Sequence, residues 1–233
     1  MQAANIHRIL IVDSQPLFRD GLRSHLVNQP EFAVCGEAES INEALKLIRK
    51  ERPELVIMEL DFADGHGLDL IRQAKVIHQT VRIMVLSTHD EGVYAERVLR
   101  AGATGFISKY EPADGILTAL RMIVRGQIYA SAEVTQRMLN TSLHRIDGQH
   151  SATDHLTDRE LEIYQLLGQG MSSRAIASRL HLSNSTVDTY RERMKKKLGV
   201  QSGPELIRHA IQWAIESTRG DSPSPIGATL DAS

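Results

Sequence analysis

A short basic segment near the C-terminus carries the clearest chemistry in this sequence. Between Ser183 and Leu198, five basic residues stand against two acidic ones. The basic residues are Arg191, Arg193, Lys195, Lys196 and Lys197, and the acidic ones are Asp188 and Glu192. Clustered lysine and arginine bind phosphate groups, which supply much of the affinity between proteins and DNA. Because the net charge of the chain is only −2, any DNA-binding charge must be local to this segment.

The apolar spacing from Leu156 onward predicts three successive helices, and the basic segment lies on the third. The residues that mark their ends are Thr157 with Glu160 as a capping box, Ser172 or Ser173, Ser183, and finally Gly199. Two helices joined by a tight turn, the second of them basic along its exposed face, form a helix-turn-helix. The second helix of such a pair fits the major groove of DNA.

The third helix has an apolar stripe and a polar face. The polar residues that we expect to meet base edges or phosphates are Asp188, Thr189, Glu192, Arg193 and Lys196. Hydroxyl groups at Ser183, Ser185 and Thr186 lie at the helix N-terminus, where free N–H groups and the helix dipole favour a phosphate. A solvated charged face is the alternative, but the caps, small residues and turn at matching offsets favour DNA binding.

The segment from Leu156 to Val200 closely resembles the LuxR/NarL/FixJ helix-turn-helix family. The matching pieces are Leu156 to Glu160, Gly170, Ile176-Ala177, Leu180, Leu182-Ser183, Thr186-Val187 and Lys197 to Gly199. The resemblance implies a four-helix unit whose third helix reads double-stranded DNA and whose fourth, Pro204 to Trp213, supports a homodimer. Family members often carry Lys or Arg where this chain has Asp188 and Glu192. Acids repel phosphate but accept hydrogen bonds from cytosine, so the target sequence is not transferable.

The first half of the chain alternates short apolar runs with helical patterns. The runs are Ile9 to Val12, Phe32 to Cys35, Leu55 to Leu60, Val81 to Leu86 and Gly105 to Ile107. Five strands alternating with five helices predict an α/β domain with a doubly wound parallel sheet. The strands are apolar without alternation, as expected when helices cover both faces of the sheet.

Residues 7 to about 125 resemble the receiver domains of two-component response regulators. The matching pieces are Ile9 to Asp13, Pro53 to Val56, Gly67-Leu68 and Gly105 to Lys109. The resemblance implies a flavodoxin-like fold with its site at the carboxyl ends of the strands. It also implies a phosphoryl-accepting Asp, two acids that hold Mg²⁺, a hydroxyl group and a lysine.

This chain departs from that pattern in several places. Asp13 supplies one of the two acids, and Ser14 stands where the second belongs. Glu59 replaces the acceptor Asp, and Ala63 replaces the usual Pro. The hydroxyl, the aromatic switch residue and the lysine are present as Ser87, Phe106 and Lys109.

These departures predict an atypical receiver, or pseudo-receiver, without metal or cofactor. Mg²⁺ needs near-ideal oxygen geometry, and one carboxylate is missing. Glu59 carries its oxygens about 1 Å further than Asp would, and such a misplacement can cost roughly a hundredfold in rate. Two interpretations stay open: Glu59 pairs with Lys109 and holds an active-like state, or the pocket is vestigial and the domain survives as a scaffold. Asp61 and Asp64, in the following loop, are not expected to restore a metal site.

We find no residue pattern in this sequence that indicates an enzyme. Its 10 histidines show no metal-binding spacing, and no catalytic triad order or phosphate-binding glycine loop is present. We predict a sequence-specific transcription regulator controlled independently of Asp phosphorylation, with an unknown upstream kinase or other regulator. The alternatives are a conventional phosphorylated response regulator and an interaction partner of another regulator that does not bind DNA.

The composition limits the possible disulfides and the expected location of the protein in the cell. With one cysteine, Cys35, the chain can form no intrachain disulfide. Apolar runs of about six residues are too short to cross a bilayer, and no signal peptide is apparent, so we expect a cytoplasmic protein without membrane contact. The predicted organisation is a receiver-like domain at 1–125, a linker at 126–153, a helix-turn-helix domain at 154–217 and a disordered tail at 218–233.

Overall fold

A computed structural model describes residues 6–132, 134–136, 138, 152–180 and 182–219. The chain divides into two compact units, Met1–Gly148 and Gln149–Ser233. Each unit carries one of the two predicted sites.

The first unit is built on the predicted five-stranded parallel sheet. Its elements in chain order are β1 (His7–Val12), α1 (Pro16–Leu26), β2 (Phe32–Ala38), α2 (Ile41–Glu51), β3 (Leu55–Met58), β4 (Asp61–Phe62), β5 (Gly65–His66), α3 (Gly67–Ile77), β6 (Arg82–Ser87), α4 (Glu91–Arg100), β7 (Gly105–Ser108) and α5 (Ala113–Val124). The order across the sheet is β2-β1-β3-β6-β7. The short strands β4 and β5 form a separate antiparallel hairpin, which the sequence pattern did not predict.

The central strands are fully buried, which explains why their sequences are apolar without alternation. All four residues of β3 are buried, as are the last four of β1. The register pairs Val12 with Met58, and Ser87 with Ser108. Strands β1, β3, β6 and β7 therefore end at one edge of the sheet, and the residues that follow them meet there.

Part of the predicted linker packs on the first unit. The Tyr129 amide donates to the Thr104 carbonyl at 3.0 Å, and the Phe106 amide donates to the Tyr129 carbonyl at 3.1 Å. Tyr129 also packs against the core beneath α5. Since the chain stays attached to β7 as far as Tyr129, the linker boundary at 126 falls inside a segment that belongs to this unit. Residues 133, 137 and 139–151 of the predicted linker lie outside the described residues.

The second unit is helical in its described part. A short 3₁₀ helix (Ala152–His155) precedes α6 (Asp158–Gly168), α7 (Ser173–Arg179), α8 (Asn184–Leu198) and α9 (Gly203–Arg219). Helix α9 is longer than the predicted fourth helix and extends two residues into the predicted tail. The rest of that tail, 220–233, lies outside the described residues. Within the described ranges, no helix is both long and apolar enough to cross a membrane.

The predicted helix ends are confirmed in this unit. Thr157 and Glu160 form the complete capping box of α6. The hydroxyl of Ser172 caps α7, and that of Ser183 caps α8. Helix α8 ends at Gly199, whose φ of 69° is left-handed and favours glycine. These local signals fix where α8 starts and ends, and so fix which of its side chains face outward.

Candidate receiver pocket and nucleic-acid interface

The strand ends bring together four of the predicted pocket residues. Asp13 follows β1, Glu59 follows β3, Ser87 ends β6 and Lys109 follows β7. Three of the residues are buried, since Asp13 is 2% exposed, Glu59 5% and Ser87 0%, and the side chain of the fourth, Lys109, is only 5% exposed. Three ionisable groups therefore share one desolvated site, which is stable only if their charges are paired.

Glu59 lies at the centre of this site. Its Oε2 is 2.8 Å from Lys109 Nζ. Its Oε1 accepts hydrogen bonds from the Ser87 hydroxyl and, at 2.7 Å, from the Leu60 amide. Both oxygens of the carboxylate are thus engaged by the hydroxyl, the lysine and the backbone that surround the acceptor position.

Asp13 completes the pairing of Lys109. Its Oδ2 is 2.6 Å from Lys109 Nζ, and its Oδ1 accepts a hydrogen bond from the Gln15 amide at 2.8 Å. The Arg19 guanidinium donates to the Asp13 carbonyl and lies 3.6 Å from Glu37. Sequence reasoning missed Arg19, although its place one turn into α1 after Asp13 was a usable signal.

The pKa of Lys109 reflects both its burial and its two partners. Burial by itself lowers the pKa, but the hydrogen bonds and charges of Asp13 and Glu59 outweigh it and raise the pKa above its ordinary value. The ammonium group also lies 4.2 Å from the centre of the Phe18 ring. Lys109 is therefore a permanently charged group at neutral pH, held from three sides.

The pocket does not fit the Mg²⁺ ion that the receiver fold implies. Ser14 is exposed at the position of the second acid. Both carboxylate oxygens of Asp13 already accept from other groups of the chain. Among the described residues no group of three or more His, Cys, Asp or Glu side chains could hold a metal ion. The site thus lacks the second carboxylate and offers no free oxygen on the first, although carboxylates are the protein groups that hold Mg²⁺.

Gly67 sets the position of the Glu59 backbone. The Gly67 amide donates to the Leu60 carbonyl at 2.7 Å. A β-carbon on Gly67 would lie 2.7 Å from Leu60 Cα and 2.8 Å from the Glu59 carbonyl oxygen, closer than real contacts allow. Only glycine lets the start of α3 approach the acceptor loop this closely.

The remaining candidates near the pocket have structural partners. Phe106 is fully buried in the core. The Asp64 carboxylate accepts from two backbone amides at the start of α2, each at 3.0 Å. Asp61 pairs with His89 at 3.1 Å, and His66 is buried at the N-terminus of α3. Asp61 and Asp64 thus brace the loops beside the pocket, and neither supplies the missing acid.

On α8, the predicted polar face is exposed and the apolar stripe is buried. Val187 and Met194 are fully buried, and Tyr190 and Leu198 are partly buried. Of the residues predicted to contact DNA, all are exposed except Thr186, which is half-buried: Ser183, Ser185, Thr186, Asp188, Thr189, Glu192, Arg193 and Lys196. At about 100° per residue, Lys196 lies nearly opposite the centre of the buried stripe. The helix therefore presents one continuous polar face to solvent.

The five basic residues of this segment do not share one role. Arg191 donates to the Ser173 hydroxyl of α7, and Lys197 lies 2.6 Å from Glu160 of α6. Both therefore help to hold α8 in place. Arg193 and Lys196 are exposed, and neither has an ion pair in the described part of the chain. Among the described residues of this segment, those two are thus the exposed cations without an ion pair.

A cluster of hydroxyl groups surrounds the start of α8. Ser183 Oγ accepts from the Thr186 amide at 3.1 Å and lies 2.7 Å from Ser185 Oγ. A shallow depression beside it is lined by Ser185, Thr186, Thr189, Tyr190 and Arg193. The depression combines hydroxyl donors with one guanidinium group, which suits contact with a DNA backbone.

Comparison with known families matches both units. The receiver-domain family of response regulators matches residues 9–121. The family of bacterial regulatory proteins named after luxR matches residues 154–210. The chain is 32% identical to the virulence-factor transcription regulator BvgA of Bordetella pertussis, over 86% of this chain and 95% of BvgA. It is 31% identical to the response regulator UvrY of Escherichia coli K12, over 89% of this chain and 94% of UvrY.

Solved structures have the same fold. A two-component response regulator of the LuxR family from Aurantimonas is 27% identical, with a TM-score of 0.55, over 59% of this chain and 99% of that one. RcsB of Salmonella, bound to a promoter with the phosphomimetic BeF₃⁻, superposes with a TM-score of 0.59 at 22% identity, over 89% of this chain and 99% of RcsB. The likeness to RcsB concerns the fold alone.

Proposed function

Because this chain belongs to the LuxR family of bacterial response regulators, and is a DNA-binding transcription regulator rather than an enzyme, we propose that its receiver unit works without phosphorylation. In this proposal Glu59 is a permanent negative charge at the acceptor position. It keeps Lys109 and Ser87 in the arrangement that a phosphoryl group would otherwise induce.

The contacts of Glu59 carry this proposal. An acceptor Asp would carry the same single charge as Glu59, but the extra methylene of Glu59 carries that charge about 1 Å further into the pocket. There Glu59 engages Lys109 at 2.8 Å and Ser87 through its other oxygen. Phosphoryl transfer depends on positioning and on metal charge. With Ser14 exposed and the oxygens of Asp13 already in use, the pocket supplies neither.

A conventional phosphorylated regulator is the second candidate, and the family match over residues 9–121 favours it. In that case Glu59 would have to release Lys109 to accept a phosphoryl group. A vestigial pocket is the third possibility. The proposal and the vestigial pocket differ in what the removal of one charge should do to DNA binding, whereas the conventional regulator requires a covalent phosphoryl group.

The test is the DNA affinity of Glu59→Gln. Glutamine keeps the size of the side chain but leaves Lys109 without the ionic partner at 2.8 Å, so DNA affinity should fall while circular dichroism stays unchanged. Glu51→Gln, which alters an exposed pair with Arg8, is the matched control and should be silent. Equal affinity of Glu59→Gln and wild type would point to the vestigial pocket.

We further propose that α8 docks in the major groove and that the protein binds as a homodimer on a repeated site. Support comes from the exposed polar face of α8 and from Ile211 and Ile215 on α9, which are 38% and 44% exposed. One helix-turn-helix covers few base pairs, and dimers read two half-sites about one helical turn apart. Ultracentrifugation on the mapped site should give two chains per duplex, and a monomer there would contradict the dimer.

A further inference from the structure

We infer that Glu192 selects a cytosine in each half-site, with Lys195 as a positioning residue for its carboxylate. This inference rests on the proposed docking of α8 in the major groove. It names the base that one acidic side chain of that helix would recognise. Its starting point is a carboxylate on a surface that otherwise suits the phosphates of DNA.

Glu192 lies within the outward face of α8. It falls one turn after Thr189 and one turn before Lys196, and both of these residues are exposed. Its own side chain is 65% exposed. From Ser185 to Lys196 this face is about 16 Å long at 1.5 Å per residue, enough to pass several base pairs. Glu192 therefore reaches the groove if α8 enters it.

Lys195 reduces the repulsion that the Glu192 carboxylate would experience next to DNA phosphates. Lys195 Nζ is 2.8 Å from Glu192 Oε1, and the lysine side chain is only 19% exposed. Within the described residues, Glu192 has no other ion pair or hydrogen bond, so Oε2 stays available. The lysine offsets part of the charge and fixes one oxygen, which leaves the second to meet a donor.

Asp188, the other acid on α8, is a weaker candidate. Its partner Arg191 is 3.9 Å away and also donates to Ser173 of α7. At about 100° per residue, Asp188 is some 80° from Lys196 around the helix, whereas Glu192 is only about 40° from it. The carboxylate of Glu192 is thus nearer the centre of the outward face.

The chemistry of the major groove then selects the base. Cytosine presents an N4 amino donor there, while guanine presents two acceptors and thymine one. Adenine places its N7 acceptor beside its N6 donor, so a carboxylate near adenine meets repulsion as well as attraction. A bare acceptor such as Glu192 Oε2 is therefore best matched by cytosine.

The test is selection of bound duplexes from a randomised pool by the full chain, with wild type, Glu192→Gln and a control. Wild type should enrich cytosine at one position per half-site. Glu192→Gln should reduce that preference about tenfold or move it to adenine, which glutamine pairs well. Its affinity for random DNA should rise, because one negative charge facing phosphate is removed.

Two further variants separate base reading from general charge. Asp69→Asn on α3 removes an acid of the same exposure, 65%, with the same i,i+3 pairing, and should change no position. Lys195→Ala should weaken the cytosine preference, and Lys195→Arg should restore it.

An unchanged preference in Glu192→Gln, or a loss spread evenly over all positions, would overturn the assignment. If wild type retains no DNA at any salt concentration, the docking of α8 fails and the cytosine assignment fails with it. That result differs from DNA binding with an unaltered base preference, which overturns the cytosine assignment alone.

Discussion

The receiver pocket and helix α8 each contain a lysine–glutamate ion pair, and the distance between the lysine nitrogen and the glutamate oxygen is the same in both. In the receiver pocket, Lys109 and Glu59 are 2.8 Å apart and their side chains are 5% and 6% exposed. On α8, Lys195 and Glu192 are also 2.8 Å apart, but their side chains are 19% and 65% exposed. The residue types and the distance are the same, and only the surroundings differ.

The difference shows how burial decides what an ion pair can do. A buried pair is costly to break, because removal of one partner leaves an uncompensated charge away from water. An exposed pair contributes little to stability, but its atoms remain open to a ligand. The buried Lys109–Glu59 pair therefore suits the proposed role of holding a conformation, and the exposed Lys195–Glu192 pair suits the proposed role in recognition.

The largest expected effect comes from Lys109→Ala. The change leaves the carboxylates of Asp13 and Glu59 buried without a cation, so the free energy of unfolding of the first unit should fall by about 3–5 kcal/mol. Urea titration followed by circular dichroism measures this decrease. Lys50→Ala, which removes a lysine 77% exposed and paired with Glu51, is the control and should cost less than about 1 kcal/mol. Equal decreases in the two variants would remove the distinction between buried and exposed pairs.

Gly67→Ala tests the backbone that positions Glu59. Because the added β-carbon would meet Leu60 Cα at 2.7 Å, the free energy of unfolding should fall by about 1–3 kcal/mol. Gly21→Ala on α1 has nothing within 4 Å of the new carbon and should instead stabilise by up to about 1 kcal/mol. Two effects of the same sign would contradict the close approach at Gly67.

The pair between Glu160 and Lys197 offers an intermediate case in the second unit. Burial raises the pKa of Glu160, but the hydrogen bonds from Lys197 and Thr157 outweigh it and lower the pKa below 4.5. The folded pKa is thus lower than the unfolded one, so this stabilisation is complete above pH 4.5 and disappears as the pH falls through the folded pKa.

Glu160→Gln should therefore cost about 1–3 kcal/mol of unfolding free energy near pH 7, as removal of a charged hydrogen bond does. The gap between variant and wild type should close in acid, because the wild-type side chain is then neutral as well. Unfolding followed by Trp213 fluorescence between pH 7 and 3 measures this difference in unfolding free energy between variant and wild type. A gap that stays constant over this range would mean that the charge of Glu160 does not contribute.

Arg193→Ala and Lys196→Ala test whether the exposed cations of α8 contact DNA. If the removed side chain neutralises a phosphate, the slope of log affinity against log salt should become shallower by about 0.9. If the side chain contacts a base instead, the variant should bind the preferred sequence about 1–3 kcal/mol less tightly and should discriminate less between bases at that position. A salt series on random and selected duplexes distinguishes the two, with Lys50→Ala as the control. Unchanged affinity in both variants would falsify the docking of α8.

The sequence predicted the architecture because its signals are local. Apolar periodicity identified the five strands of the sheet, and the caps at Thr157, Ser172 and Ser183 identified three helices of the second unit. The family patterns at Glu59 and Lys109 predicted two residues of the pocket. The structure places these two side chains within ion-pair distance.

The features that the sequence could not predict depend on which way each side chain points and on which distant residues it contacts. Lys197 belongs to the basic run, yet it points inward to Glu160, because a count of charges does not tell which way a side chain turns. Asp64 was expected only to lie in the loop after Glu59 without restoring a metal site. The structure shows that it accepts from the backbone of α2, which lies 22–23 residues away along the chain. The attachment of Tyr129 to β7 was likewise invisible to periodicity.

The most direct test of the central claim is exposure of the wild-type chain to acetyl phosphate and Mg²⁺. Intact mass and DNA affinity are then measured on the same sample, with Ser14→Asp/Glu59→Asp, which restores both missing acids, beside it. We expect no change in mass or affinity for wild type, and Mg²⁺ binding only in the double variant. A covalent phosphoryl group on wild type, at Glu59 or a neighbouring acid, together with a change in DNA affinity, would contradict a receiver that works without phosphorylation.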